Sequence, residues 1–208
     1  MGRSYIKDKL LAAYVPSKQT EITFSKMVDD INWYDDFENI DFFISYSSRD
    51  KLLVKQFTEF LMDQISDCSV YAYAFDAKAV KNSSEVSLDR IEKFLEKAKI
   101  VFFLQSDDSI KSYWCAWELG YISAIDPTKC IIVRVNSDDS FTKHREYLRA
   151  YPRLMISKSS KNKFAKNGFV LFVLRPDDKV GTPLVSYLSG FRKFLKVDWE
   201  EAMDTFVK

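Results

Sequence analysis

Four apolar runs begin roughly 30 residues apart, and this rhythm limits what the chain can fold into. They are rich in β-branched and aromatic residues and cover positions 40–46, 69–75, 100–104 and 130–135. Most hold apolar residues in succession rather than in alternation, which is typical of parallel strands covered on both faces. Each gap between them contains a helical pattern. A strand, helix and strand repeated in this way indicate an α/β protein with a parallel sheet.

The gaps contain three amphipathic patterns. Apolar residues recur at spacings of three and four over 50–65, and Asp50 is placed to cap the start of that helix. A second helix is predicted to begin at Ser87, and a third covers 109–125. These helices and strands predict a flavodoxin-like, doubly wound sheet.

The last third of the chain has a looser pattern. It predicts a short helix over 140–151, an exposed lysine-rich loop over 158–163, a fifth parallel strand at 169–174 and a final helix over 183–195. We therefore expect one domain with a five-stranded parallel sheet over 39–208. Residues 1–38 are expected to form an N-terminal extension whose aromatic residues pack onto the domain, with a partner-binding arm as the alternative.

Charge and cysteine content argue against several classes of protein. The sequence has 31 Lys and Arg against 30 Asp and Glu, so a basic nucleic-acid or membrane-surface binder is not expected. No apolar run approaches the roughly 18 residues that a membrane span requires. Cys68, Cys115 and Cys130 are widely spaced within apolar segments, which is typical of buried thiols in a reducing compartment. We expect a cytoplasmic protein.

Histidine and glycine are too scarce for two common kinds of site. His144 is the single histidine and lies in a charged stretch, so it is read as a solvated side chain rather than as part of a catalytic relay or a zinc site. The five glycines cannot form a Walker loop or a dinucleotide-binding G-x-G-x-x-G loop. No metal or resident cofactor is expected, and a nucleotide would have to be held by other means.

Polar residues follow the ends of the predicted strands, where open parallel sheets bind ligands. The first strand ends in a serine-rich segment at 45–50, the second in Asp76, the third in 105–108 and the fourth in 136–137. A phosphoryl-accepting receiver domain needs an acidic pair after the first strand. Here serines occupy that place, and Asp41 lies at the other end of the strand, so this alternative is not favoured.

The third predicted helix contains the most informative carboxylate. Glu118 comes four residues after Trp114 and three before Tyr121, so the three are expected to share a face beside an apolar stripe of Cys115, Leu119 and Ile122. Partial burial among aromatic rings would disfavour the charged carboxylate and suit it to electrostatic catalysis. The simpler alternative is a solvated glutamate on a helix surface.

Two of these segments resemble motifs of the Toll/interleukin-receptor (TIR) domains. Residues 41–50 (DFFISYSSRD) resemble the family's first-strand motif, and residues 112–119 (SYWCAWEL) resemble its third-helix motif. Between them, 81–87 (KNSSEVS) occupies the place of the family's BB loop and the helix after it. The chain departs from the family here, because other members often have glycine in that loop. The resemblance covers about residues 40 to 135 and extends less clearly to 200.

The resemblance implies cleavage of the nicotinamide–ribose bond of NAD, with NAD as substrate and no cofactor. It assigns the catalytic role to Glu118. It assigns substrate binding to residues at the strand ends, the loop and the third helix, namely Ser45, Tyr46, Arg49, Asp76, Ser84 and Trp114. Self-association through TIR domains is also implied.

Two functions remain in competition at this point. The first is an NAD glycohydrolase or ADP-ribosyl cyclase that makes a nucleotide signal, such as a cyclic ADP-ribose, as a stand-alone bacterial TIR protein in antiphage defence of the Thoeris type. A pathogen effector that consumes host NAD would share this chemistry. The second is a non-catalytic module that binds other TIR domains. The combination of Trp114, Cys115 and Glu118 favours the enzyme.

Overall fold

The fold is a central sheet of parallel and antiparallel strands with helices on both faces. The computed structural model describes residues 15–29, 35, 38, 40–65, 67–76, 84–135, 146–158 and 169–189. Within these residues, seven strands form one sheet in the order β2-β1-β3-β4-β5-β6-β7. They are β1 (Ile40–Ser45), β2 (Val70–Tyr71), β3 (Ala98–Gln105), β4 (Cys130–Arg134), β5 (Arg153–Lys158), β6 (Phe169–Leu174) and β7 (Thr182–Pro183).

The described part of the chain also contains five α-helices: α1 (Lys18–Asp29), α2 (Lys51–Gln64), α3 (Ser84–Lys97), α4 (Tyr113–Ile125) and α5 (Leu184–Ser189). One apolar cluster joins α2 and α5 to the sheet, and a second joins α3 and α4 to the other face. Successive residues of β1 alternate between the clusters, with Phe42 and Ile44 in the first and Phe43 in the second. The flavodoxin-like, doubly wound α/β fold is thus confirmed.

The fifth parallel strand is not the segment that the sequence suggested. β1 to β5 are joined by parallel pairing, whereas β6 runs antiparallel to β5 and β7 antiparallel to β6. The run at 169–174 is a strand, but it forms the antiparallel partner of β5 over the whole length of that strand. The end of β5 falls where the sequence pattern predicted the start of an exposed loop.

Several boundaries also differ from those that the sequence predicts. The second run is a strand only at Val70–Tyr71 and continues as a 3₁₀ turn at Tyr73–Phe75. Asp50 occupies the N-cap position of α2 but makes no side-chain capping bond there; its Oδ2 accepts a 2.5 Å hydrogen bond from Ser106 Oγ instead. The short helix expected at 140–151 is a 3₁₀ helix at Glu146–Ala150, and the last helix ends its described part at Ser189.

The N-terminal extension contributes α1 to the body of the protein. Asp63 of α2 accepts hydrogen bonds from the Ser17 amide at 3.1 Å, from Ser17 Oγ at 2.9 Å and from the Thr20 hydroxyl. Phe24 packs edge-on against Phe75 with ring centroids 4.9 Å apart. Trp33, one of the aromatic residues of the extension, lies outside the described residues, as do His144 and residues 136–137 and 159–168. The expectations for them stay predictions.

Candidate active site

The candidate site is built where β1 ends against the start of α4. Ser45 is the last residue of β1 and shares the sheet face of Phe43, the face that α4 covers. α4 begins at this point because Ser112 caps it, accepting a 3.3 Å hydrogen bond from the Cys115 amide. One turn later the side chain of Glu118 reaches the strand. Ser45 Oγ donates to Glu118 Oε2 at 2.5 Å.

Glu118 is buried rather than solvated. Its residue is 3% exposed, and Ser45 is 1% exposed. Burial raises the pKa of Glu118 to about 8, although the hydrogen bond from Ser45 and the nearby Trp114 side chain act to lower it. The carboxyl group is therefore mostly protonated at neutral pH in the free protein, and any positive charge brought beside it would favour its ionised form.

The neighbours of Glu118 differ from the arrangement expected on the helix. Glu118 lies on the buried face with Cys115, Leu119 and Ile122 instead of on a half-exposed aromatic face. Trp114 flanks it and is 42% exposed. Burial, followed by the nearby Glu118, raises the pKa of the Cys115 thiol to about 12, so this cysteine stays protonated.

Tyr46 and Arg49 follow β1 but point in different directions. Tyr46 is buried in the cluster on the α2 face, and its hydroxyl accepts a 2.5 Å hydrogen bond from the Ala74 amide. Burial raises the pKa of Tyr46 above its usual value. The Arg49 side chain is 79% exposed at the rim, where its Nη1 lies 3.1 Å from Asp108 Oδ1 in the segment after β3. The rim thus joins the segments that follow β1 and β3.

Asp76 makes a separate set of contacts, away from Glu118. Asp76 is buried, and its Oδ2 accepts from Tyr71 Oη at 3.1 Å and from Arg90 Nε at 2.5 Å. Arg90 also reaches Asp35 with an Nη1 to Oδ1 distance of 2.9 Å. Ser84 is the first residue of α3. Substrate binding by Asp76 and Ser84 stays a prediction, as does binding by Arg49 and Tyr46.

Contacts of Ser106, Asp108 and Arg90 at the site were not predicted from the sequence. Ser106 and Asp108 were noted as polar residues after the third strand, but their bonds to Asp50 and Arg49 were not anticipated. Arg90 gave no signal of its own, because an arginine on an amphipathic helix is usually solvated. The segments that follow neighbouring parallel strands meet at one edge of the sheet. Only this placement could have suggested the contacts of Ser106 and Asp108.

The described part of the chain contains no group of three or more His, Cys, Asp or Glu residues arranged to hold a metal ion. Nor does any helix within those residues have the length and apolar character needed to cross a membrane.

The sheet order, with β1 between β2 and β3, is that of a doubly wound α/β domain. A family model described as "TIR domain" matches residues 42–178, and the chain belongs to this family. It is also similar to the probable 3' cyclic ADP-D-ribose synthase ThsB' of Bacillus cereus (strain MSX-D12). The two are 32% identical over 126 residues, which cover 57% of this chain and 62% of that relative. The chain thus matches less than two thirds of the relative's length.

Proposed function

We propose that this chain cleaves the nicotinamide–ribose bond of NAD, as a glycohydrolase or ADP-ribosyl cyclase, with Glu118 as the catalytic residue. The observation that carries the proposal is a buried carboxyl group at the carboxyl end of β1, bonded to Ser45 and flanked by Trp114. The similarity to a probable 3' cyclic ADP-D-ribose synthase supports it.

The chemistry needs little beyond a carboxylate. When the bond between ribose C1' and the pyridine nitrogen breaks, its electron pair stays with nicotinamide, which leaves as a neutral base without a general acid. The ribose becomes an oxocarbenium-like cation, and a carboxylate beside it is stabilising. At 4 Å and an effective dielectric of 20 this attraction is about 4 kcal/mol. That corresponds to on the order of a thousandfold in rate.

Substrate binding would also prepare Glu118 for this role. The pyridinium ring of NAD is positively charged, so its arrival beside Glu118 favours loss of the carboxyl proton. Because Glu118 is only 3% exposed, the ribose reaches it only after a neighbouring side chain moves. Trp114 is half exposed and lies one helical turn before Glu118, so it is placed to open that path and then to stack on the nicotinamide ring.

Two kinds of nucleophile can attack the ribose cation. Water gives linear ADP-ribose, and attack by a nucleophile of the same nucleotide gives a cyclic isomer. We propose that the product acts as a nucleotide signal in bacterial antiphage defence. A chromatogram of the nucleotides formed from NAD separates the linear and cyclic products.

The proposal is tested by following nicotinamide release from NAD with purified protein. Glu118→Gln is expected to lower the rate at least about 100-fold, because it removes the charge but keeps the shape. Glu59→Gln is the matched control: Glu59 is also 3% exposed, but it lies on α2, on the opposite sheet face, and pairs with Lys55. An unchanged rate in Glu118→Gln would overturn the catalytic assignment. Self-association without NAD loss at any protein concentration would favour the non-catalytic TIR–TIR module.

A further inference from the structure

One hydrogen bond ties the carboxyl group of Glu118 to the central sheet. Ser45 Oγ donates to Glu118 Oε2 at 2.5 Å, the short distance that is typical of a hydroxyl bonded to a charged oxygen. Both residues are almost fully buried, at 1% and 3% exposure. Because water hardly competes for either group, this bond restrains the carboxyl group more strongly than a surface hydrogen bond would.

The two partners differ in how firmly the fold holds them. Ser45 is the last residue of β1, a strand that lies between β2 and β3, and it pairs in register with Phe103 of β3. A single side-chain torsion separates its backbone from the hydroxyl oxygen, whereas three torsions separate the backbone of Glu118 from its carboxyl oxygens. The strand therefore fixes the hydroxyl, and the hydroxyl in turn can fix the carboxyl group.

The Ser45 hydroxyl has little left to offer a substrate. A serine hydroxyl has one proton to donate, and the proton of Ser45 is directed at Glu118. The residue also exposes only 1% of its surface. Substrate binding by Ser45, which the family resemblance implies, would thus require the bond to Glu118 to break.

We propose that Ser45 is a positioning residue, whose hydroxyl holds the Glu118 carboxylate at the carboxyl end of β1 instead of binding substrate. The catalytic consequence rests on the proposed function, whereas the positioning itself does not. The hydroxyl serves both forms of Glu118, because it donates to the carboxylate and can accept from the protonated acid. Donation to the charged form is the stronger of the two bonds, so Ser45 also favours ionisation of Glu118.

Two other titratable side chains interact with the charge of Glu118, namely Tyr46 after β1 and Cys115 on α4. Burial raises the pKa of the Cys115 thiol to about 12 and also raises the pKa of Tyr46. Asp50 acts on the same cysteine, and its Oδ2 accepts from Ser106. Since the thiol and the phenol stay protonated below pH 10, a titration near pH 8 reports Glu118.

The first test follows the side-chain carboxyl carbon of Glu118 by NMR in ¹³C-glutamate-labelled protein without NAD. Glu118→Gln identifies the signal by removing it. The midpoint is expected near pH 8 in the wild type. In Ser45→Ala it should rise by about one pH unit, the equivalent of one hydrogen bond to a charged group. Ser45→Cys keeps the shape with a weaker donor, so a smaller rise is expected.

Ser109→Ala is the matched control, because Ser109 is also 1% exposed but exchanges hydrogen bonds with the backbone of Ser106 instead. Its midpoint should remain that of the wild type. If Ser45→Ala does not fold, Ser45→Cys decides. An unchanged or lower midpoint in the Ser45 variant that folds, or an equal rise in Ser109→Ala, would overturn the proposal. Because no NAD is present, these outcomes do not depend on whether the protein cleaves NAD.

Steady-state kinetics of nicotinamide release then separate positioning from substrate binding. A misplaced carboxylate stabilises the transition state less but leaves substrate binding intact. Ser45→Ala should therefore lower kcat about 10-fold and keep the KM for NAD within about twofold of the wild type. A raised KM with an unchanged kcat is the pattern of a lost substrate contact, and it would show that Ser45 binds NAD instead.

Discussion

Glu118 is a carboxyl group that the fold keeps away from water, and its ionisation opposes folding. In the unfolded chain its pKa is near the ordinary 4.5, whereas burial raises the pKa to about 8 in the folded protein. Between these values the native state holds a proton that the unfolded state has lost, so stability falls as the pH rises through this range. Above pH 8 ionisation of Glu118 lowers the free energy of unfolding by on the order of a few kcal/mol.

We therefore predict that Glu118→Gln changes the pH dependence of stability. The amide side chain of this variant carries no charge, so the fall in unfolding free energy between about pH 4.5 and 8 should be smaller than in the wild type. Denaturant titrations of both proteins at pH 5, 7 and 9 measure this difference. The advantage of the variant over the wild type should grow toward pH 9. An equal pH dependence in the two proteins would show that Glu118 is not buried as described.

Single residues were predicted from the sequence with uneven success. Glu118 was singled out because an aromatic-rich helix and a serine-rich strand end follow one another at the spacing of the family motifs; its catalytic role stays a prediction. The sequence could not predict which side of the helix is buried. On a helical wheel Glu118 lies between the side of Trp114 and the side of Cys115, and only the packing of α4 on β1 decides between them. Asp76 was read as a ligand, but its contact with Arg90 depends on how α3 is packed.

At the scale of elements, α1 is attached to α2 through one buried carboxylate. Asp63 is 6% exposed and accepts hydrogen bonds from the first residues of the α1 segment, Ser17 and Thr20. These bonds satisfy groups at a helix N-terminus that have no partner within the helix. We infer that the N-terminal extension is held to the domain through this end of α1.

Asp63→Ala tests the attachment of α1. Loss of several hydrogen bonds to a carboxylate should lower the free energy of unfolding by about 2 kcal/mol, measured by denaturant titration. Asp67→Asn is a suitable control, because Asp67 is exposed with a φ of 56°, which asparagine also tolerates. Equal stability of the two variants would mean that the Asp63 contacts contribute nothing.

The strands that the sequence predicted correctly are more buried than the strand that it missed. β3 and β4 are buried along most of their length, so their apolar runs stand out in the sequence. β5 begins with Arg153 and ends with Lys158, and its central residues are too few to give a run. Its position is determined by antiparallel pairing with β6, a contact between distant segments that local pattern does not contain.

At the scale of the whole molecule, the parallel sheet is extended by two antiparallel strands. β6 pairs with β5 along six residues, and β7 adds a short edge at Thr182 and Pro183. Gly181 precedes β7 and lies against the ring of Phe172. A Cβ at Gly181 would be 2.2 Å from Phe172 Cδ2, so this extension depends on glycine there.

Gly181→Ala should therefore destabilise the protein by about 1–3 kcal/mol through overpacking. Gly120→Ala is the opposite case: Gly120 lies within α4, a Cβ there would meet nothing within 4 Å, and alanine should raise stability by up to about 1 kcal/mol. Thermal unfolding of the two variants beside the wild type compares the effects. If Gly181→Ala leaves the stability unchanged, the Phe172 ring can move aside without loss of free energy.

The proposed catalysis depends on Glu118 losing its proton before the ribose cation forms. The most direct measurement is the pH dependence of kcat/KM for nicotinamide release from NAD between about pH 6 and 9.5. Because this ratio reports the ionisation of the free enzyme, it should rise with pH and level off above a midpoint near 8, the pKa that burial gives Glu118. A profile that is flat or falls across this range would contradict the assignment of Glu118 as the catalytic carboxylate.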